Sequence, residues 1–247
     1  MKKQSAFTLA EVLITLGIIG VVATMTIPTL MSNTNKAEFK TGFKKILSVL
    51  NQAVTMSVAV DYTDFADANS GTGEGSIYNL LSKRMHVART VVGANASSDS
   101  QIMRMFDSSG NGQTGRSMST TNITLFFSDG MVLSYPQSAY QCTLTVTGRT
   151  GADGKTCAGI VDVNGPKNPN KLSNCQYNAA TGQSTTSGVK DNDSTATAAN
   201  ATGGRNTAKA GVCGEGNAYI ADQFSIEFVG QQVLPNGYAA RYVLYDN

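Results

Sequence analysis

The chain has 247 residues, enough for one domain or two small ones and for a sizeable core. Charged residues make up 15% of it and the net charge is +2, which argues against the strongly basic surface of a dedicated nucleic-acid binder. One histidine (His86) rules out multi-histidine metal sites, and four cysteines with no CxxC pair point to disulfides before zinc. An exported, non-enzymatic protein with a modest core is expected.

The chain opens on a short basic leader, Met1-Lys2-Lys3-Gln4-Ser5-Ala6, followed by a nearly wholly apolar run from Phe7 to Leu30. Val12 to Met31 is a stretch of 20 residues without a charge. At about 1.5 Å of rise per residue such a helix reaches about 30 Å, the thickness of a hydrocarbon core. An ordinary secretory signal would share the basic start and could be cut after Val21-Val22-Ala23. Glu11 argues against it: a carboxylate costs about 2.5–3.5 kcal/mol at the centre of a membrane helix, and a discarded peptide has no use for one. The expected partner is a positive charge from outside its own helix.

These residues resemble the amino terminus of the type IV pilins and type II secretion pseudopilins. The resemblance is carried by the Lys2-Lys3 leader, a small residue before an aromatic (Ala6, then Phe7), and the run Phe7-Thr8-Leu9-Ala10-Glu11-Val12-Leu13-Ile14. Pro28 stands where the family commonly places a helix-kinking proline. The resemblance implies cleavage by a prepilin peptidase between Ala6 and Phe7 and methylation of the new Phe7 amine. It also implies pairing of Glu11 with the amino terminus of a neighbouring subunit, assembly with other pilin or pseudopilin subunits on an inner-membrane platform, and contact with membrane lipid. The domains expected are a leader over 1–6, a membrane and assembly helix over 7–31, and a head over 32–247. Ala6 replaces the family's usual glycine before the cut and is small enough for the same pocket. Lys36, Lys40, Lys44 and Lys45 lie beyond the apolar run, so a plain count of positive charges does not favour the orientation the resemblance implies.

Pro28 lacks a backbone donor and clashes with the Thr24 carbonyl, so the helix should bend there. Beyond Ser32-Asn33-Thr34-Asn35, a loosening point, Phe39, Phe43, Ile46, Leu47, Leu50 and Val54 recur at threes and fours on one helical face. Lys36, Lys40 and Lys44 share another face, read as solvated. A single long helix over 7–60 is predicted, then a polar loop over 61–76. A short helix follows on Ile77, Leu80, Leu81 and Met85, with His86 half-buried at its end. Asn122-Ile123-Thr124-Leu125-Phe126-Phe127 and Met131-Val132-Leu133-Ser134-Tyr135 flank Ser128-Asp129-Gly130 and read as a β-hairpin. Further strands are expected at 143–146, 159–163, 223–229 and 240–245. The order gives an α+β plan, a long amino-terminal helix packed on an antiparallel head.

Asp162-Val163-Asn164-Gly165-Pro166-Lys167-Asn168-Pro169-Asn170 resembles a strand-to-turn element of pilin-like heads, normally followed closely by an Asp-x-Phe strand, here Asp222-Gln223-Phe224. Between them lies an insertion over 176–209, rich in Ser, Thr, Asn, Ala and Gly and expected to be a surface loop. Asp162, Asn164 and Asp222 could supply oxygen ligands to calcium, although the spacing is not that of an EF-hand. Cys175 and Cys213 bracket the insertion. A bridge between them would leave Cys142 and Cys157 as the second pair, but four cysteines allow three connectivities. No nucleophile–base pair, phosphate loop or metal cluster is legible, so no enzymatic activity is expected. The functional expectation is a structural subunit that polymerises through its amino-terminal helix, with a binding module of the pilus (adhesin, DNA-uptake or secreted-substrate contact) as the alternative.

Overall fold

Helix α1 spans Leu9–Asp61, 53 residues without interruption. The computed structural model describes residues 8–93, 99–106, 122–143, 157–175, 218–236 and 238–245. The chain divides into two compact units, Met1–Glu38 and Phe39–Asn247, with α1 running through both. The loosening predicted at Ser32–Asn35 is not found. Thr34 donates its hydroxyl to the Leu30 carbonyl at 2.9 Å, so a residue that favours breaks is absorbed by its own helix.

In the second unit, α1 buries Phe39, Phe43, Ile46, Leu47, Leu50, Ala53 and Val54, the apolar face read from the sequence. The remaining elements are α2 (Ile77–Arg84), β1 (Val87–Val92), α3 (Ser100–Phe106), β2 (Asn122–Phe127), β3 (Val132–Pro136), β4 (Ala158–Asp162), β5 (Asn174–Cys175), β6 (Ala218–Tyr219), β7 (Gln223–Val229), β8 (Gln232–Pro235) and α4 (Tyr238–Tyr245). Six strands form one antiparallel sheet in the order β1-β2-β3-β4-β7-β8, and β5 pairs with β6 alone.

Each sheet face has its own core because side chains alternate along a strand. Leu133, Tyr135, Val161, Phe224, Ile226 and Phe228 share the larger core with α1, where the Phe43 and Phe224 rings stack at 4.3 Å. Val132, Ile160, Val91, Leu172, Ile102 and Met105 form a second cluster, the last two from α3. Strands buried on both sides carry continuous apolar runs, so β3, β4 and β7 show no polar face to solvent. Gly42 permits close approach to the sheet: a Cβ there would lie 3.0 Å from the Cβ of Val163. The helix-propensity cost of that glycine, about 1 kcal/mol relative to alanine, is offset by the packing it allows.

The hairpin over β2 and β3 forms as predicted, with Gly130 at φ 88° and Asp129 accepting from the Met131 amide at 3.2 Å. The strand predicted over 240–245 is instead helix α4. Tyr and Val suggested a strand, but Ala239, Ala240, Tyr242 and Val243 are the buried positions, spaced at threes and fours. Lys40, from the stripe read as solvated, sits 5.5 Å above the Tyr242 ring, and Lys45 pairs with Asp129 at 2.8 Å. His86 is exposed rather than half-buried; its carbonyl accepts the Ser128 amide. Of the predicted strand over 143–146, Thr143 is in no strand and 144–146 lie outside the described residues.

Cys142 and Cys157 are joined by a disulfide with Cα atoms 5.6 Å apart. Cys175 ends β5, whereas Cys213 lies outside the described residues, as does the insertion over 176–209. Asn174 and Cys175 pair with Tyr219 and Ala218, which brings the two ends of that insertion together.

Candidate functional site

The first unit holds the membrane-length part of α1. Leu9–Ile27 is a 19-residue apolar stretch with mean hydropathy 2.1. Its length as a helix is about 28 Å. Its large side chains are exposed around the whole circumference, from Leu13 and Ile14 to Ile18, Ile19 and Val22. A helix apolar on every side is stable only in lipid or among other apolar helices. The threonines within it are satisfied internally: Thr15 donates to Glu11 O at 2.9 Å, Thr24 to Val21 O at 2.9 Å and Thr26 to Val22 O at 3.0 Å. Such back-bonding removes the penalty of an unpaired hydroxyl in hydrocarbon. Gly17 and Gly20 have no atom within 4 Å of where a Cβ would stand, so their surroundings are open.

Glu11 is the single acid of this stretch. It is not stranded, contrary to what the sequence suggested. Thr8, the non-helical residue before α1, donates its amide to Glu11 Oε2 at 2.8 Å and its hydroxyl to the same oxygen at 2.9 Å. The Glu11 amide returns to Thr8 Oγ1 at 3.3 Å. This is a capping box, in which a threonine and an acid three residues on satisfy each other's backbone amides. The carboxylate also lies at the positive end of the helix dipole. The T-x-x-E spacing was legible in the sequence; the search for a partner had been directed outside the helix. Pro28 is an internal residue of α1, and Ala6 and Phe7 lie outside the described residues.

The second candidate cluster, Asp162, Asn164 and Asp222, is gathered where β4 meets β7. Asp222 accepts the amides of Asn170 at 2.7 Å and Lys171 at 2.8 Å, so the two pieces of the strand-to-turn element separated in sequence by the insertion do come together. Asp162 accepts the Asn164 amide at 3.2 Å on Oδ1 and Gln223 Nε2 at 2.9 Å on Oδ2. The register sets Asp162 opposite Gln223, which also donates to Met105 O at 2.7 Å and so ties α3 to the cluster. Gln223 was not singled out from the sequence; only the strand register reveals it.

Both carboxylates are buried. Burial, reinforced by the negative charge of Asp222, pushes the Asp162 carboxyl up to about 8 against the pull of its hydrogen bonds, so it is largely protonated at neutral pH. Asp222 is also raised by burial, with its amide donors opposing. Every carboxylate oxygen of the pair already faces an N–H donor. Among the described residues no three His, Cys, Asp or Glu side chains group as metal ligands. Asn164 Oδ1 is buried without a partner there, the one oxygen of the expected calcium set left free. One free oxygen among donors that repel a cation does not fit a calcium site as arranged; the contacts instead fasten the 163–171 loop to the sheet.

Residues 1–27 match the family described as the prokaryotic N-terminal methylation motif, the prepilin-type signal of type IV pilins and pseudopilins. No curated protein and no solved structure matches the chain.

Proposed function

We propose, from the premise that this chain is a pilin-like or pseudopilin precursor by its amino-terminal signal, that it is a structural subunit of a type IV pilus or secretion pseudopilus. The carrying observation is the coincidence of that signal with an apolar helix exposed on all sides and a single acid at its start. In this reading a prepilin peptidase cuts between Ala6 and Phe7 and the Phe7 amine is methylated. The subunit waits in the inner membrane, single-pass, with its head on the periplasmic side. Assembly on an inner-membrane platform then exchanges lipid for the helices of other subunits, where the open surroundings of Gly17 and Gly20 leave room for close approach. The neighbour's amine is the cation that Glu11 receives there. No cofactor or catalytic step is invoked, and calcium at Asp162, Asn164 and Asp222 forms no part of it.

Mass spectrometry of the mature amino terminus tests this directly. The expected product begins at Phe7 and carries one methyl group on its amine. A product beginning after Ala23 would remove the assembly helix and end the reading.

A second reading, a binding role for the head, is favoured by the β5–β6 ladder, which closes the base of the insertion independently of the main sheet. Deleting 176–209 should leave the head folded and fibres forming, because both strands of that ladder remain. Loss of attachment, DNA uptake or substrate contact in fibres of that variant would assign the insertion a binding role; unaltered function would leave only the structural one.

A further inference from the structure

We propose that Thr8 is a positioning residue for Glu11, holding one carboxylate oxygen at the head of α1 so that the other is presented to a cation from a second copy of the chain. This rests on the pairing reading of Glu11 given above and extends it to a residue that reading does not use.

Both Thr8 donors, the amide and the hydroxyl, converge on Glu11 Oε2, at 2.8 and 2.9 Å. Among the described residues none donates to Oε1. The arrangement is tied at the backbone too: the Glu11 amide takes Thr8 Oγ1 at 3.3 Å, and the first helical bond runs from the Val12 amide to the Thr8 carbonyl at 3.3 Å. The hydroxyl therefore donates in one direction and accepts in the other, which fixes its rotamer along with that of the acid.

Two consequences follow from elementary chemistry. A glutamate has three side-chain torsions to order, and ordering them in advance removes that entropic cost from the association step. An ionised carboxylate in or near hydrocarbon also needs donors while the subunit is unassembled, and Thr8 supplies two without consuming the oxygen that the partner must reach. When the prepilin-type signal is cut before Phe7, the new amine stands one residue ahead of Thr8, at the same level of the helix as Glu11 in the copy that offers it.

The test compares Thr8→Val, Thr8→Ser and Glu11→Ala in cells, measuring the inserted, processed subunit by mass spectrometry and the sheared fibre by immunoblot. Valine keeps the shape of threonine and loses the hydroxyl; serine keeps the hydroxyl. The expected result is a fibre-to-subunit ratio about tenfold lower for Thr8→Val, restored to within about twofold by Thr8→Ser, with the inserted pool unchanged in both. A normal ratio in Thr8→Val alongside a blocked Glu11→Ala overturns the positioning role and leaves the pairing reading standing. A normal ratio in Glu11→Ala overturns the pairing reading itself. A fall in the inserted pool of Thr8→Val, or no rescue by Thr8→Ser, places the effect in insertion or helix formation and equally overturns the proposal.

Discussion

Replacing Glu11 with alanine is expected to leave the chain inserted in the membrane and to lower fibre yield at least about a hundredfold. Insertion should be unharmed because the substitution removes the one acid of an otherwise apolar stretch, which costs about 2.5–3.5 kcal/mol at a bilayer centre and less near its edge. The capping box would be lost with it, at a cost of about 1 kcal/mol to the first turn of α1. That is small beside the stability of a membrane helix. Assembly is different, since a charge pair formed among apolar helices leaves an unpaired amine behind when its acid is removed, and breaking such a pair costs about 3–5 kcal/mol. Fractionation gives the inserted pool, and shearing followed by immunoblot gives the fibre. Fibre yield within a few-fold of the parent would exclude the pairing.

Raising the pH from 5 to 8.5 is expected to destabilise the head by about 2–4 kcal/mol through Asp162. Its carboxyl titrates near 8 when folded and near 3.8 when unfolded, so between those values the folded state holds the extra proton. Stability conferred by that proton is complete below about pH 4, declines as the pH rises, and is gone once the pH passes the folded value. Each pH unit inside the window is worth about 1.4 kcal/mol at most, reduced by any relaxation around the charge. Asp222, raised for the same reason, adds to the slope in the same direction. Denaturant unfolding of the full chain in detergent at the two pH values measures the difference. Asp162→Asn should flatten it to below about 1 kcal/mol, and Gln223 Oε1, buried without a partner among the described residues, is placed to accept from the new amide. Equal slopes for parent and variant would show that the proton resides elsewhere.

Legibility in the sequence followed the range of the interaction. The apolar face from Phe39 to Val54 was plain because helical periodicity is local, and the β2–β3 hairpin was plain because Asp129-Gly130 marks its turn between two apolar runs. Helix α4 was misread because Tyr and Val favour strands as residues, while the decisive pattern is which of its positions the core takes. β1 and β8 are short edge strands without a strong turn signal and passed unnoticed. At the candidate site, Glu11 stood out for its chemistry and its partner Thr8 did not, although only three positions separate them. The buried cluster was half seen: Asp162, Asn164 and Asp222 were identified by residue type, but Gln223 acquires its role from a strand pairing across 61 positions. Oxygen-rich side chains look like ligands in a sequence, and only the donors around them show that they are anchors.

The outer margin of β8 bears on how many copies of such a head can be crowded together without harm. The Asn236 amide bonds to Ser225 O, which fixes the alternation so that Val233 and Pro235 turn their backbone away from β7. Proline has no amide hydrogen to offer, and both backbone groups of Val233 are claimed by the Asn51 side chain of α1, at 2.9 Å each. An incoming strand from another molecule would find no hydrogen to dock against along this border. Heads accumulating at high local concentration are thereby barred on this side from zipping into amyloid-like ribbons, and self-association is left to the apolar helix, where it produces an ordered polymer instead of a precipitate.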